Sequence, residues 1–273
     1  MGTDARLLEA IERYCDGVPR SSADALDVGP FTIFISRIPW RYYARPRLGL
    51  DLAVTAEDVA AVRERQRAEG VPERLEWIAE ITPSLAGAAE AAGLVVTRVP
   101  LMALEAAAWA PAPPPDGVEV RLLSADDAEL GRANAAVELA FIQPHGGPTQ
   151  LAGPAERDAL AERSGDVEFL RDRMERGLTV IAAAEDADGP LAAGSAQPLA
   201  DVTEITGVGT LPRARGRGLA TAVTSRLVVD ARERGAEIVF LSAADATVVA
   251  IYGRLGFREV GTACFGRLPG DGP

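Results

Sequence analysis

Residues 213–218, Arg-Ala-Arg-Gly-Arg-Gly, constrain this chain most, because of what stands on either side of them. Before them runs a β-like segment over 202–211, closed by Pro212. After them, Leu219, Val223 and Leu227 recur at helical spacing in a predicted helix over 219–229. A strand, a glycine loop and a helix in that order aim backbone N–H groups at an anion. The first helical turn leaves its donors unpaired, and the helix dipole favours negative charge there. Gly216 and Gly218 let the backbone approach a phosphate with no Cβ in the way. The expectation is a pyrophosphate cradle.

A second element narrows the choice of pyrophosphate. Tyr252-Gly253-Arg254-Leu255-Gly256-Phe257 begins 34 residues beyond Gly218, which leaves room for the helix, a strand over 237–242 and a second helix over 247–255. Together these resemble the Gcn5-related N-acetyltransferase (GNAT) superfamily. Its signature is Gln/Arg-x-x-Gly-x-Gly/Ala, then a strand, a helix and a Tyr-x-x-x-Gly-Phe ending. Arg213-x-x-Gly216-x-Gly218 and Tyr252-x-x-x-Gly256-Phe257 both match, and the likeness covers about residues 118–268. A glycine loop alone is weak evidence; the ordered pair at this spacing is specific.

The resemblance implies an α+β fold with a mixed sheet, the acyl-CoA N-acyltransferase fold, and acetyl-CoA as co-substrate with no metal. It implies that the pyrophosphate rests on the amides of Ala214, Arg215, Gly216, Arg217, Gly218 and Leu219, with Arg213, Arg215 and Arg217 adding positive charge. Pantetheine would pair like an extra strand with the backbone of Thr206, Gly207 and Val208, where the two glycines flanking Val208 suggest a bulge or a close approach. The Val208 N–H is the candidate oxyanion donor. Tyr252 is the expected general acid, since a phenol is protonated at neutral pH and can donate to a leaving thiolate. Glu204 is the expected base: alternation puts Glu204, Thr206 and Val208 on one face of the strand. A solvated strand carboxylate is the competing reading for it. Phe141 and His145, the one histidine, fall where this superfamily commonly lines its acceptor pocket, although His145 in a Gly/Pro loop also reads as a surface residue. One departure concerns pantetheine. Seven positions before the tyrosine, where many relatives carry Asn, stands Asp245, and a carboxylate cannot donate that hydrogen bond unless protonated.

Composition bounds the rest. A length of 273 fits two domains at roughly 150 residues each. No apolar run approaches the ~18 residues that span a bilayer, and the N-terminus has no basic-then-apolar signal pattern, so a soluble cytoplasmic protein is expected. Net charge of −12 argues against nucleic acid or an anionic membrane as partner, because both need a basic footprint. It suits a small cationic amine, bound by a monomer or homodimer. Cys15 and Cys264 lie far apart without metal spacing and read as free thiols.

Along the chain, the proline-rich stretch 110–117 reads as a semi-rigid linker between an N-terminal part, 1–109, and a C-terminal part, 118–268, with a frayed tail at 269–273. The C-terminal part reads as a strand over 118–123, a helix over 126–141 started by a capping-box-like Ser124-x-x-Asp127, and a long loop. A helix over 167–175 follows, then strands over 178–185, 191–198 and 202–211, the first two joined by an Asp188-Gly189 turn. The N-terminal part has strands near 31–38 and 42–50 and a helix near 56–69. Its 76–80, 84–92 and 95–104 then echo 238–242, 247–255 and 258–265. At its cradle position stands Gly49-Leu50-Asp51-Leu52-Ala53-Val54-Thr55, with no Arg-x-x-Gly-x-Gly and with an anion-repelling Asp51. It reads as a degenerate tandem half unable to hold coenzyme; an unrelated α+β domain is the rival.

Two other functions compete with small-amine acetylation: a non-catalytic acyl-CoA-binding module, and a protein Nα-acetyltransferase, which needs an open groove. A dinucleotide-binding fold is disfavoured, because the strands before the glycine loop read as an antiparallel meander.

Overall fold

The computed structural model describes residues 3–105, 109, 111–143, 151–163 and 167–271. They form two compact units, one of Met1–Met102, Ser242–Val249 and Glu259–Pro273, the other of Ala103–Leu241 and Ala250–Arg258. In chain order the first begins with α1 (Thr3–Arg20), β1 (Ala23–Val28), β2 (Phe31–Ser36), β3 (Arg45–Pro46), α2 (Ala56–Ala68), β4 (Leu75–Ile78), α3 (Leu85–Ala91) and β5 (Val95–Glu105). Within β5 the chain passes to the second unit and continues through β6 (Glu119–Leu122), α4 (Leu130–Ile142), α5 (Pro154–Arg163), α6 (Glu168–Glu175), β7 (Val180–Asp186), β8 (Gly189–Leu199) and β9 (Val202–Thr210). Then come α7 (Leu219–Glu233), β10 (Ile238–Ser242), α8 (Ala246–Gly253) and β11 (Arg258–Arg267). This division differs from the expected one: the passage between units falls inside β5, so the stretch 110–117 belongs to the second unit and does not link the two, and Ser242–Val249 belongs to the first. Nearly all of β11 belongs to the first unit, where it pairs antiparallel with β4, Cys264 opposite Trp77.

In the first unit, α1 forms because Leu7, Leu8, Ile11 and Tyr14 recur at helical spacing and are all buried. β1, β2 and β3 make a small antiparallel sheet. The strand expected over 42–50 shrinks to Arg45–Pro46, since Pro46 has no N–H to extend a ladder. Phe31, Ile33, Val59, Val62, Leu75 and Trp77 are among the residues that build the core.

The second unit is a mixed sheet in the order β10-β9-β8-β7-β6, with β10 parallel to β9 and the other neighbours antiparallel. α4 starts at Leu130 rather than 126, and the expected capping box does not form. Asp127 is taken by Arg121, which also holds Glu185, while the Ser124 hydroxyl donates to Asp126. The long loop contains an unexpected helix, α5. Its signal was Pro154 at the first helical position, with Glu156 accepting from the Gly153 N–H at 2.8 Å. Arg157 on this helix is fully buried and donates to the carbonyls of Asp188 and Pro190, clamping the β7–β8 turn.

Between β8 and β9 the register slips. Ser195 faces Thr206 but Ala193 faces Gly209, so Gly194 opposes both Gly207 and Val208. This is a β-bulge, with Gly207 at φ +61°. Ladder partners point the same way, and neighbours in a strand point opposite ways. A Cβ on Gly194 would meet Val208 and Val223 of α7, whereas a Cβ on Gly209 would meet α4. α4 and α7 therefore cover opposite faces of this sheet.

The approach of α4 is close enough to exclude a methyl group: a Cβ at Gly209 would lie 2.9 Å from the Val137 Cα. Gly209→Ala is expected to destabilise the protein by about 1–3 kcal/mol through overpacking against backbone. Gly131→Ala, in the same helix α4 with nothing within 4 Å of its Cβ, is expected to be neutral or slightly stabilising. Urea unfolding of the two variants beside the parent checks both.

Candidate functional site

The glycine loop folds as its chemistry demands. After Leu211, residues Pro212–Ala214 make one 3-10 turn, held by the Ala214 N–H on the Leu211 carbonyl at 2.8 Å. Gly216 and Gly218 take φ of +79° and +80°, a region that side-chain-bearing residues enter at a cost of roughly 1–2 kcal/mol. Gly218 is the N-cap of α7. It supplies no side-chain acceptor, and the first turn contains no acidic residue. Ala222 is the first amide to reach a helical carbonyl, that of Gly218 at 3.1 Å, so the N–H groups of 219–221 precede any helical acceptor. Residues 216–218 are exposed, and a Cβ on Gly216 would meet nothing within 4 Å. This is an accessible positive helix end with its donors uncommitted.

The corresponding helix of the N-terminal half is closed. At the start of α2, Thr55 Oγ1 accepts from the Asp58 N–H while the Asp58 carboxylate accepts from the Thr55 N–H, a complete capping box. Glu57 and Asp58 add negative charge to that first turn. The Thr-x-x-Asp pattern was a stronger sign of a lost anion site than Asp51.

The three loop arginines separate. Arg217 is exposed and makes no ion pair among the described residues. The Arg213 side chain lies over Gly153, with Glu156 close enough to feel its charge. Arg215 corrects the expectation of a free phosphate-facing charge. Its guanidinium is half-buried and donates to the carbonyls of Ala140 and Gln143 at the end of α4, and burial lowers its pKa from the ordinary guanidinium value. The loop is thereby tied to the end of the helix that carries Phe141, which is 65% exposed. His145 lies outside the described residues.

The proline-rich stretch is also part of this neighbourhood. The Ala112 N–H donates to Ser225 Oγ of α7 at 3.0 Å, and Pro115 comes within 4.0 Å of a Cβ built on Gly218.

The bulge corrects a second expectation. Glu204 and Thr206 share a face, but Val208 points to the opposite one, against the Gly194 position and α7. The extra residue inverts the alternation beyond it. It also leaves the Gly207 and Val208 backbone outside residue-for-residue pairing with β8. Opposite Glu204 sits Gln197, whose amide oxygen accepts from Arg173, a guanidinium only 1% exposed, and from Thr179. The sequence reading missed Arg173; an arginine in a short amphipathic helix carries no mark of burial.

The Tyr-x-x-x-Gly-Phe ending is a Schellman motif. The Phe257 N–H reaches back to the Tyr252 carbonyl at 3.2 Å, the Gly256 N–H to that of Gly253 at 3.1 Å, and Gly256 sits at φ +95°. The Tyr252 and Phe257 rings, 5.8 Å apart between centroids, supply the hydrophobic contact that accompanies such a cap. Tyr252 is thus fixed at both backbone and ring, and it is buried. Burial pushes its phenol pKa above the ordinary value, with the neighbouring Thr224 hydroxyl partly offsetting this. Its phenol is neutral at physiological pH.

Asp245 falls in the first unit and has a structural task. Its Oδ1 accepts from the N–H groups of Thr247 and Val248 at 2.8 and 2.9 Å, capping α8. Among the described residues, no group of three or more His, Cys, Asp or Glu could hold a metal ion, and no helix is long and apolar enough to cross a membrane.

The mixed sheet, the bulged strand and the uncapped helix behind a glycine loop define the acyltransferase fold. Residues 149–257 match the model of the acetyltransferase (GNAT) family. A GCN5-related N-acetyltransferase from Kribbella flavida superposes with a TM-score of 0.71 over 99% of this chain and 97% of its own, at 24% identity. One from Sphaerobacter thermophilus gives 0.58 over 94% and 84%, at 18% identity. A tandem GNAT protein from the clavulanic acid biosynthesis pathway gives 0.53 over 86% and 77%, at 14% identity. At these identities the likeness is one of fold, and it takes in the N-terminal half. Among curated proteins, none matches the sequence.

The role of Asp245 as a cap can be checked by itself. Asp245→Ala is expected to cost about 1 kcal/mol of stability, whereas Asp245→Asn, an equally good N-cap, stays within a few tenths of the parent. Denaturant unfolding of both distinguishes a cap from a carboxylate needed for its charge.

Proposed function

We propose that this protein is an acetyl-CoA-dependent N-acetyltransferase whose acceptor is the amine of a small, cationic molecule. The observation that carries the reading is the start of α7, whose first turn has no side-chain cap and no acidic residue and follows the exposed residues 216–218. In a chain of net charge −12, such a spot suits a polyphosphorylated carrier and little else. The GNAT family match supports acyl transfer as the chemistry.

The coenzyme, when bound, supplies an acyl thioester. The amides from Ala214 to Leu219 and the Arg217 side chain hold its diphosphate. The register of β9 with β10 covers Val202–Glu204, so the edge of Thr206, Gly207 and Val208 that faces away from β8 accepts its pantetheine arm as an added strand, and the Val208 N–H faces the developing oxyanion. Glu204 takes one proton from the incoming ammonium. As the new N–C bond forms and the C–S bond breaks, Tyr252 gives one proton to the departing sulfur, and its phenolate regains a proton as the nitrogen sheds its second one on becoming an amide. A buried phenol pinned by its own helix cap is suited to this, being both protonated and immobile. The acidic surface draws cationic acceptors toward the protein.

A thiol-release assay with acetyl-CoA and a panel of cationic amines tests the reading. Gly216→Glu places a carboxylate at the cradle, with nothing within 4 Å of its Cβ but at a backbone angle that strains the loop, and it is expected to weaken coenzyme binding by about a hundredfold. Tyr252→Phe is expected to slow kcat by about a hundredfold and leave coenzyme binding unchanged. The alkaline limb of kcat that Tyr252 sets should lie above the ordinary phenol value near 10. Equal coenzyme affinity in Gly216→Glu and the parent removes the cradle. Tight binding with no turnover of any amine leaves only a binding module.

A further inference from the structure

The first unit, whose α2 cannot serve an anion, contains a cavity of about 590 Å³, within the usual range for small-ligand sites. It lies between one face of α1, the loop after β3 and the turn after β4. That loop is the stretch at which the N-terminal half lacks its glycine cradle. The apolar walls include Leu8, Leu50, Leu48 and Ile81, the last two exposed large hydrophobics at 45% and 36%.

The polar groups of the cavity favour one sign of charge. Glu12 lines it and is itself 95% buried, at 5% exposure. Its Oε2 accepts from Arg45 at 2.9 Å, and its other oxygen has no hydrogen-bond partner among the described residues. Arg45 is buried and shared with Glu76 at 3.1 Å, so the Glu12–Arg45–Glu76 group keeps a net negative charge. Glu9 and Glu80 line the same cavity, Glu80 already accepting from the Thr262 N–H. Against them stand Arg13 and Arg47, the latter 3.4 Å from Asp27. Counted with their ion-pair partners, these groups comprise five carboxylates and three guanidinium groups. A carboxylate with one oxygen unpaired beside an apolar-walled space can take a charge-assisted hydrogen bond from an ammonium group.

We propose that this cavity is a binding site for a small organic cation, an ammonium group carried on an aliphatic or aromatic body. The ammonium sits between Glu9 and the open oxygen of Glu12, and the body covers Leu48 and Ile81. The site is distinct from the acyl-transfer reading and does not rest on it.

Calorimetric titration of phenethylamine hydrochloride into the full chain, without coenzyme, tests this. Saturable binding is expected, and phenethyl alcohol, neutral and of similar shape, should bind at least about tenfold more weakly. Glu9→Gln should weaken the amine about tenfold, and Ile81→Trp, which fills the cavity from its exposed rim, should abolish binding. The Gly216→Glu variant should bind the amine as the parent does, which separates this site from the coenzyme site. No saturable binding, equal affinity for amine and alcohol, or binding untouched by both Glu9→Gln and Ile81→Trp overturns the proposal.

Discussion

An α-helix cannot satisfy the amides of its own first turn, and this protein treats that fact in two opposite ways. At α7 the amides are left bare behind two left-handed glycines, with no side-chain cap and no acid in the first turn. At α2 the Asp58 amide is taken by Thr55 and the Thr55 amide by Asp58, and Glu57 and Asp58 add negative charge. Two related halves thus carry the same unit of structure, once open to an anion and once shut. The assignment of the coenzyme end to the second unit rests on that difference.

The surrounding structure keeps the open end in place. Arg215 fastens the loop to the last carbonyls of α4, and Ala112 in the proline-rich stretch fastens itself to α7. Gly194 and Gly209 remove side-chain bulk where β8 and β9 meet helices on either face, so the bulge between them can form without a cavity. The bulge in turn frees backbone on β9 just upstream of the loop. The bulge and the glycine loop are therefore consecutive in the chain, and each depends on glycine.

Features governed by short-range chemistry were legible in the sequence. The glycine loop, the Tyr252–Phe257 helix ending, the mixed α+β fold and the tandem likeness each depend on residues within a turn or two of one another, and each is present. What escaped depends on contacts distant in sequence or on a one-residue slip. Alternation put Val208 beside Glu204, and a single inserted residue reversed it. Arg215 read as a free cation until α4 supplied carbonyls for it. Asp245 read as a broken coenzyme contact, whereas it is the cap of α8. α1 and α5 were missed for a different reason: their signals were local and went unused.

The placement of β11 has a consequence for how the chain comes to be folded. Residues that complete the N-terminal unit are translated only after the second unit, since Leu75–Ile78 of β4 pairs with Gly266–Ala263 of β11. Until β11 is made, β4 lacks that strand partner, and the nascent N-terminal half has to wait through the synthesis of the second unit. A chain cut short before β11 would therefore injure the earlier-encoded N-terminal module as much as the region it removes.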